Sequence, residues 1–106
     1  MINNLITSSL VSLNLPVAYL RYFGSDVPYI TYFCYNEQGE AWAENEVIAT
    51  GYYVQIDIWS KTDYTSLVAM VDLAMKEAGF TRTTAQDLPE YDTKLFHKAI
   101  RFSIIN

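Results

Sequence analysis

Cysteine and histidine occur once each in this chain of 106 residues, proline three times and glycine four times. A single cysteine, Cys34, cannot form an internal disulfide, and in its aromatic surroundings a free thiol behaves as a small buried hydrophobe, so a reducing compartment is expected. Gly24, Gly39, Gly51 and Gly79 lie too far apart to build a glycine-rich loop that cradles phosphate. A zinc site needs three or four clustered ligands, and Cys34 and His97 are the only soft ones, so no metal site and no cofactor are expected. No run approaches the roughly 18 apolar residues of a membrane helix, and no basic residue precedes Arg21. These absences predict a soluble, cytoplasmic protein with no membrane partner.

Positive charge is also scarce where it would matter for nucleic acid. The net charge is −5. Arg21 is the only cation before Lys61, against Asp26, Glu37, Glu40, Glu44, Glu46 and Asp57, whereas cations and carboxylates balance from Lys61 onward. Affinity for nucleic acid through counterion release needs clustered Lys and Arg, so sequence-specific nucleic-acid binding is not expected.

What the chain does have is apolar and aromatic residues: 51% hydrophobic, with nine tyrosines, five phenylalanines and two tryptophans. This suffices for one domain over residues 1–106 with one core. Ile2, Leu5, Ile6, Leu10 and Leu13 follow helical spacing and predict a helix over 2–13, ended by Pro16. Val17 to Tyr22 reads as a short strand and Tyr29 to Tyr35 as another, with Asn36-Glu37-Gln38-Gly39 as the turn that ends it. Glu40 to Thr50 has no decisive period and reads as a long connection, with or without a short strand in it.

The clearest strand is Tyr52 to Trp59, with Tyr52, Val54, Ile56 and Ile58 on one face and Tyr53, Gln55, Asp57 and Trp59 on the other. Leu67, Val68, Val71, Met75 and Ala78 then make the stripe of a helix over about 64–78, capped by Thr62 or Asp63 and closed by Gly79. Phe80 to Thr84 reads as a strand, Asp87 to Asp92 as a turn-rich connector, and Thr93 to Ile105 as a long last strand. It carries Phe96, Ile100, Phe102 and Ile104 on one face and His97, Ala99, Arg101 and Ser103 on the other. The expected fold is α+β, a mostly antiparallel sheet of four or five strands with two helices packed on one face. Two short helices leave the other face uncovered, and the aromatic residues it presents, Tyr53 and Trp59 among them, suit a partner.

Catalytic patterns are thin. His97 with Asp57 has the ingredients of an oriented general base if their strands pair, but a strand-face histidine beside Lys98 and Arg101 is more often solvated or pair-forming. Nothing near Cys34 in sequence would lower its pKa, which weakens a Cys34–His97 thiol pair. Glu37, Glu40, Glu44 and Glu46 lack the register and central glycine of a calcium loop and read as a solvated run. Trp42 inside that run either docks on another protein as an anchor ringed by charge or folds back on its own core. The interface candidates are therefore Glu37, Glu40, Trp42, Glu44, Glu46, Tyr53 and Trp59.

The segment YYVQIDIWSKTDY at 52–64, the helix ending in Ala78-Gly79-Phe80, and TRTTAQDLPEYDTKLFHKAIRFS at 81–103 together resemble the tail-completion proteins of long-tailed bacteriophages and prophages, also called tail terminators or head-tail joining proteins. The first half agrees in layout: a short helix, the YITYFCYN strand and an acidic segment. The resemblance implies an α+β protomer in a ring, commonly a hexamer, at the head-proximal end of the virion tail. Its partners would be copies of itself, the tail tube protein and the head-tail connector protein, with no enzyme activity, and it would be assembled in the bacterial host's cytoplasm. Net acidity would suit a channel through which DNA must slide. From the residues alone, a different reading stands beside it: a monomeric or dimeric module that binds a peptide or small ligand on the open sheet face.

Overall fold

The computed structural model describes residues 2–90 and 92–106. Helix α1 (Ile2–Leu10) continues as a 3-10 turn over Val11–Leu13, and Asn14 leaves it in the left-handed conformation. Then follow β1 (Val17–Tyr19), β2 (Tyr29–Ala43), β3 (Glu46–Ser60), α2 (Thr65–Glu77), β4 (Thr81–Leu88) and β5 (Phe96–Ile105). The five strands form one sheet in the order β1-β2-β3-β5-β4, antiparallel except for the β1–β2 pair. The fold is thus α+β as expected.

Both helices lie on the face that the alternation of β3 marks as apolar. Val54, Ile56 and Ile58 are fully buried there with Ile100 and Phe102 of β5, Ile6 and Leu10 of α1, and Val71 and Met75 of α2. Helix α2 begins where Asp63 accepts the Thr65 N–H at 2.9 Å and the Thr65 hydroxyl at 2.6 Å. These bonds hold the Asp63 carboxyl below its ordinary range. It ends in a Schellman motif, with Gly79 N–H on the Lys76 carbonyl and Phe80 N–H on that of Met75, both at 3.0 Å, and Gly79 at φ +101°. A Cβ at Gly79 would meet Ile104 Cδ1 at an ordinary 3.5 Å, so only backbone strain opposes a side chain. Gly79→Ala is therefore expected to cost about 1–2 kcal/mol in urea unfolding.

Several expected boundaries shift. The first strand stops at Tyr19, the strand after Gly79 starts at Thr81 and runs through Asp87 and Leu88, and the last begins at Phe96. Tyr91 of the expected connector lies outside the described residues. The largest difference concerns residues 36–50. Asn36 to Gly39 do not turn, and Glu40 to Thr50 is not a connection: β2 runs on to Ala43, reverses at Glu44-Asn45, and returns as β3. Glu44 and Asn45 have φ of 52° and 67°, the pair of left-handed residues that a two-residue hairpin turn of right-twisted strands requires. Past Gly51, β5 no longer flanks β3, and β1 flanks β2 only at Ile30–Tyr32, so the hairpin continues as a two-stranded arm. The molecule measures 52 × 27 × 23 Å.

Candidate functional site

The face of the sheet away from the helices carries two linked features, a buried polar cluster at the base and the arm at the opposite end. At the base, strand register sets Tyr29, Trp59 and His97 side by side across β2, β3 and β5. Trp59 stacks on both: its ring lies 3.8 Å from that of His97 at 15° and 5.9 Å from that of Tyr29 at 13°. Its indole N–H donates to the Thr31 hydroxyl at 3.1 Å.

His97 is only 7% exposed, and both of its ring nitrogens face carboxylates: Nε2 is 2.7 Å from Asp57 Oδ1, and Nδ1 is 2.8 Å from Glu90 Oε1. Both contacts are favourable only if both nitrogens carry protons, so the ring is held as an imidazolium. Burial by itself would push its pKa down, but the bonds to Asp57 and Glu90 outweigh that and hold it above the ordinary 6.5. Glu90 lies between β4 and β5, so the histidine clamps that connection to the middle of the sheet. On the helix side of β5, where Lys98 alternates with His97, burial and then the Asp87 carboxylate push the Tyr64 hydroxyl up to about 12. Tyr64 donates to Asp87, and Lys98 pairs with the same carboxylate at 3.3 Å, joining the start of α2 to β4 and β5.

A group whose folded pKa is raised contributes stability that is complete below its unfolded pKa and lost as pH rises through the folded value. The melting temperature is therefore expected to fall as pH climbs from 6.5 through the raised His97 pKa. A His97→Gln protein should lack that descent, and a wild-type protein without it would show that the ring is not charged in the clamp.

The cluster continues along the face. Gln55 donates to Asp57 at 2.9 Å, Arg101 donates to Gln55 at 3.1 Å, and the Arg101 guanidinium sits 4.2 Å from the centre of the Tyr35 ring. Tyr35 neighbours Tyr53, whose hydroxyl donates to Glu40, and Gln38 donates to the same Glu40 oxygen at 3.0 Å. The bond to Glu40 raises the Tyr53 pKa above its ordinary value. Polar groups on this face thus satisfy one another from Glu90 to the root of the arm.

On the arm, Trp42 is opposite Val47 and 60% exposed, with Val47 and Ile48 exposed beside it. The indole lies across Gly39, where an added Cβ would come within 2.8 Å of Trp42 Cζ2 and 3.0 Å of Val47 Cγ2. Glycine at 39 therefore permits the close approach that seats the ring. Trp42 folds onto its own ribbon and leaves its other side to solvent.

Of the residues singled out in the sequence, Tyr53 and Trp59 lie on the uncovered face as expected, both half-buried in the polar chain. Glu40, Trp42, Glu44 and Glu46 lie on the arm, and Glu37 sits at its root opposite Tyr52, where β5 still flanks β3. The structure also joins Asp57 to His97, while Cys34 lies on the helix side against the core. Sequence reasoning missed Glu90, Val47 and Ile48. A signal for the last two was present: Glu44-Asn45 between Trp42 and Val47 has the spacing of a two-residue turn, and asparagine suits it. No model of a known protein family matches the chain, and neither does any curated protein.

Proposed function

We propose that this protein is a structural assembly subunit: it forms a ring, of six copies in the resembling family, that ends a phage tail tube and joins the tail to the head. The observation that carries this reading is the arm, a preformed two-stranded ribbon reaching past the sheet with Trp42, Val47 and Ile48 exposed. An isolated two-stranded ribbon is marginal in water, and an exposed aromatic anchor with carboxylates around it has the composition of an interface centre and rim. The resemblance over 52–103 supplies the identity of the partners: further copies, the tube protein and the head connector. No sequence-specific nucleic-acid contact and no membrane belong to this reading; its place is the head-proximal end of the tail.

Neither rival draws comparable support. A general base needs a nitrogen that can reach a substrate, and both His97 nitrogens lie against carboxylates at 2.7 and 2.8 Å. On the open face Asp57, Gln55 and Arg101 are bonded to each other or to His97, so a ligand there would compete with these internal bonds.

Mixing the purified protein with tail tubes and the head connector tests the proposal. Electron microscopy is expected to show ring-shaped caps on one end of tubes of uniform length, to which the connector adds. Tubes that keep growing uncapped, with the protein left free in solution, would overturn it.

A further inference from the structure

The chain exposes 6772 Å², against about 6,100 Å² for a compact monomer of this mass. The surplus of roughly 700 Å² is close to the roughly 800 Å² that each partner hides in a specific protein contact. The radius of gyration agrees, at 14.8 Å against about 13 Å for a compact chain of this length. The molecule is therefore more extended than a compact monomer of its size, and the arm projects beyond the five-stranded part of the sheet.

Both edges of the sheet are open. Among the described residues, the outer side of β2 has no strand neighbour beyond Tyr32, and β4 ends the sheet on the other side with seven of its eight residues exposed. Edge strands are commonly guarded by proline or by bulges. No proline occurs in β4 or the arm; the arm is bulged after Cys34, Gly39 and Ala41, whereas on β4, after the bulge between Arg82 and Thr84, the stretch Thr84–Leu88 is regular.

Charge decides which surfaces meet. Two arms laid together would bring Glu40, Glu44 and Glu46 against their own copies with no cation between them, which is repulsive. Around β4 the balance is different. Asp72 is engaged by Arg82 at 2.9 Å and Asp87 by Lys98 at 3.3 Å, while Lys76 and Arg101 have no carboxylate partner among the described residues.

We propose that the arm of one copy pairs, edge to edge, with β4 of a second copy, so that one sheet continues into the next. This rests on the self-association proposed above and names its contact. The two edges differ, so the contact is head to tail and generates a ring when the rotation closes. Backbone hydrogen bonds hold the strands, and the arm glutamates lie toward Lys76 and Arg101 of the neighbour.

The test joins cysteines across the contact. In a Cys34→Ser background, Ala43→Cys on the arm and Thr84→Cys on β4 are combined and treated with a short thiol crosslinker. A ladder of dimers, trimers and higher products is expected from the double variant alone, weakening as salt is raised. Dimers from Ala43→Cys by itself would mean arm-to-arm packing and overturn the proposal. A closed oligomer in native mass spectrometry without the ladder would overturn the edge contact while leaving the ring intact; neither oligomer nor ladder at the highest soluble concentration would overturn both. Hydrogen exchange on the unaltered protein gives a second readout: amides of Thr84–Leu88 should gain protection with concentration, and constant exchange in an oligomer would sink the edge pairing.

Discussion

Asp57→Ala is expected to destabilise the fold by about 3–5 kcal/mol, the range for removing one partner of a buried ion pair. The carboxylate is 5% exposed and accepts bonds from His97 Nε2 and Gln55 Nε2, so its loss strands a buried imidazolium donor and frees a half-buried amide donor. Glu90 offers no substitute, since it already holds the other ring nitrogen and is itself partly exposed. His97→Ala removes the cation instead and leaves two carboxylates facing one another, so it belongs in the same range. The double variant should cost clearly less than the two losses added, because each single change harms the fold through the partner it strands. Urea unfolding of the three proteins measures this. A loss below about 1 kcal/mol for Asp57→Ala would mean the clamp contributes no more than an exposed ion pair. At temperatures where the variants remain folded, the proposed tail assembly should proceed normally, which separates a clamp that maintains the fold from a catalytic group.

Trp42→Ala carries the opposite signature. With 60% of the residue exposed, truncation should change monomer stability by less than about 1 kcal/mol, confined to the packing on Gly39 and Val47. Its effect on assembly should be large: an aromatic hot spot costs about 2 kcal/mol or more when truncated, which is roughly thirtyfold in the affinity of each contact. In the proposed closed ring the loss recurs at every contact, so if the protein caps tubes as proposed, capped tubes should disappear with Trp42→Ala at concentrations where the unaltered protein forms them. Charge reversal at Glu44 and Glu46 should act in the same direction with less force. Titration by light scattering and electron microscopy reads assembly, and thermal melting reads the fold. Wild-type capping by Trp42→Ala would remove the arm from the interface, and a loss of several kcal/mol in stability would make Trp42 a core residue.

The contrast between these two sites follows how each was written in the chain. The β3 alternation from Tyr52 to Trp59 and the stripe of α2 closed by Gly79 were legible because a half-buried element repeats its buried positions at its own period. That also placed Asp57 and His97 on the uncovered face. It could not pair them: the register that sets Trp59 beside His97, and the return of the chain that delivers Glu90, depend on contacts between residues far apart in sequence. The arm was illegible for another reason. A ribbon solvated on both faces has no buried side to mark, and register shifts after Cys34, Gly39 and Ala41 break what alternation remains.

By itself the amino-acid order determined the α+β class, the apolar face of the sheet and the acidity of the first sixty residues, since these follow from local propensity and composition. Only the tertiary structure decided that the glutamates and Trp42 stand on a projecting ribbon and that the lone histidine is locked between two carboxylates. Both outcomes depend on which strand lies beside which, a choice set by packing of the whole core.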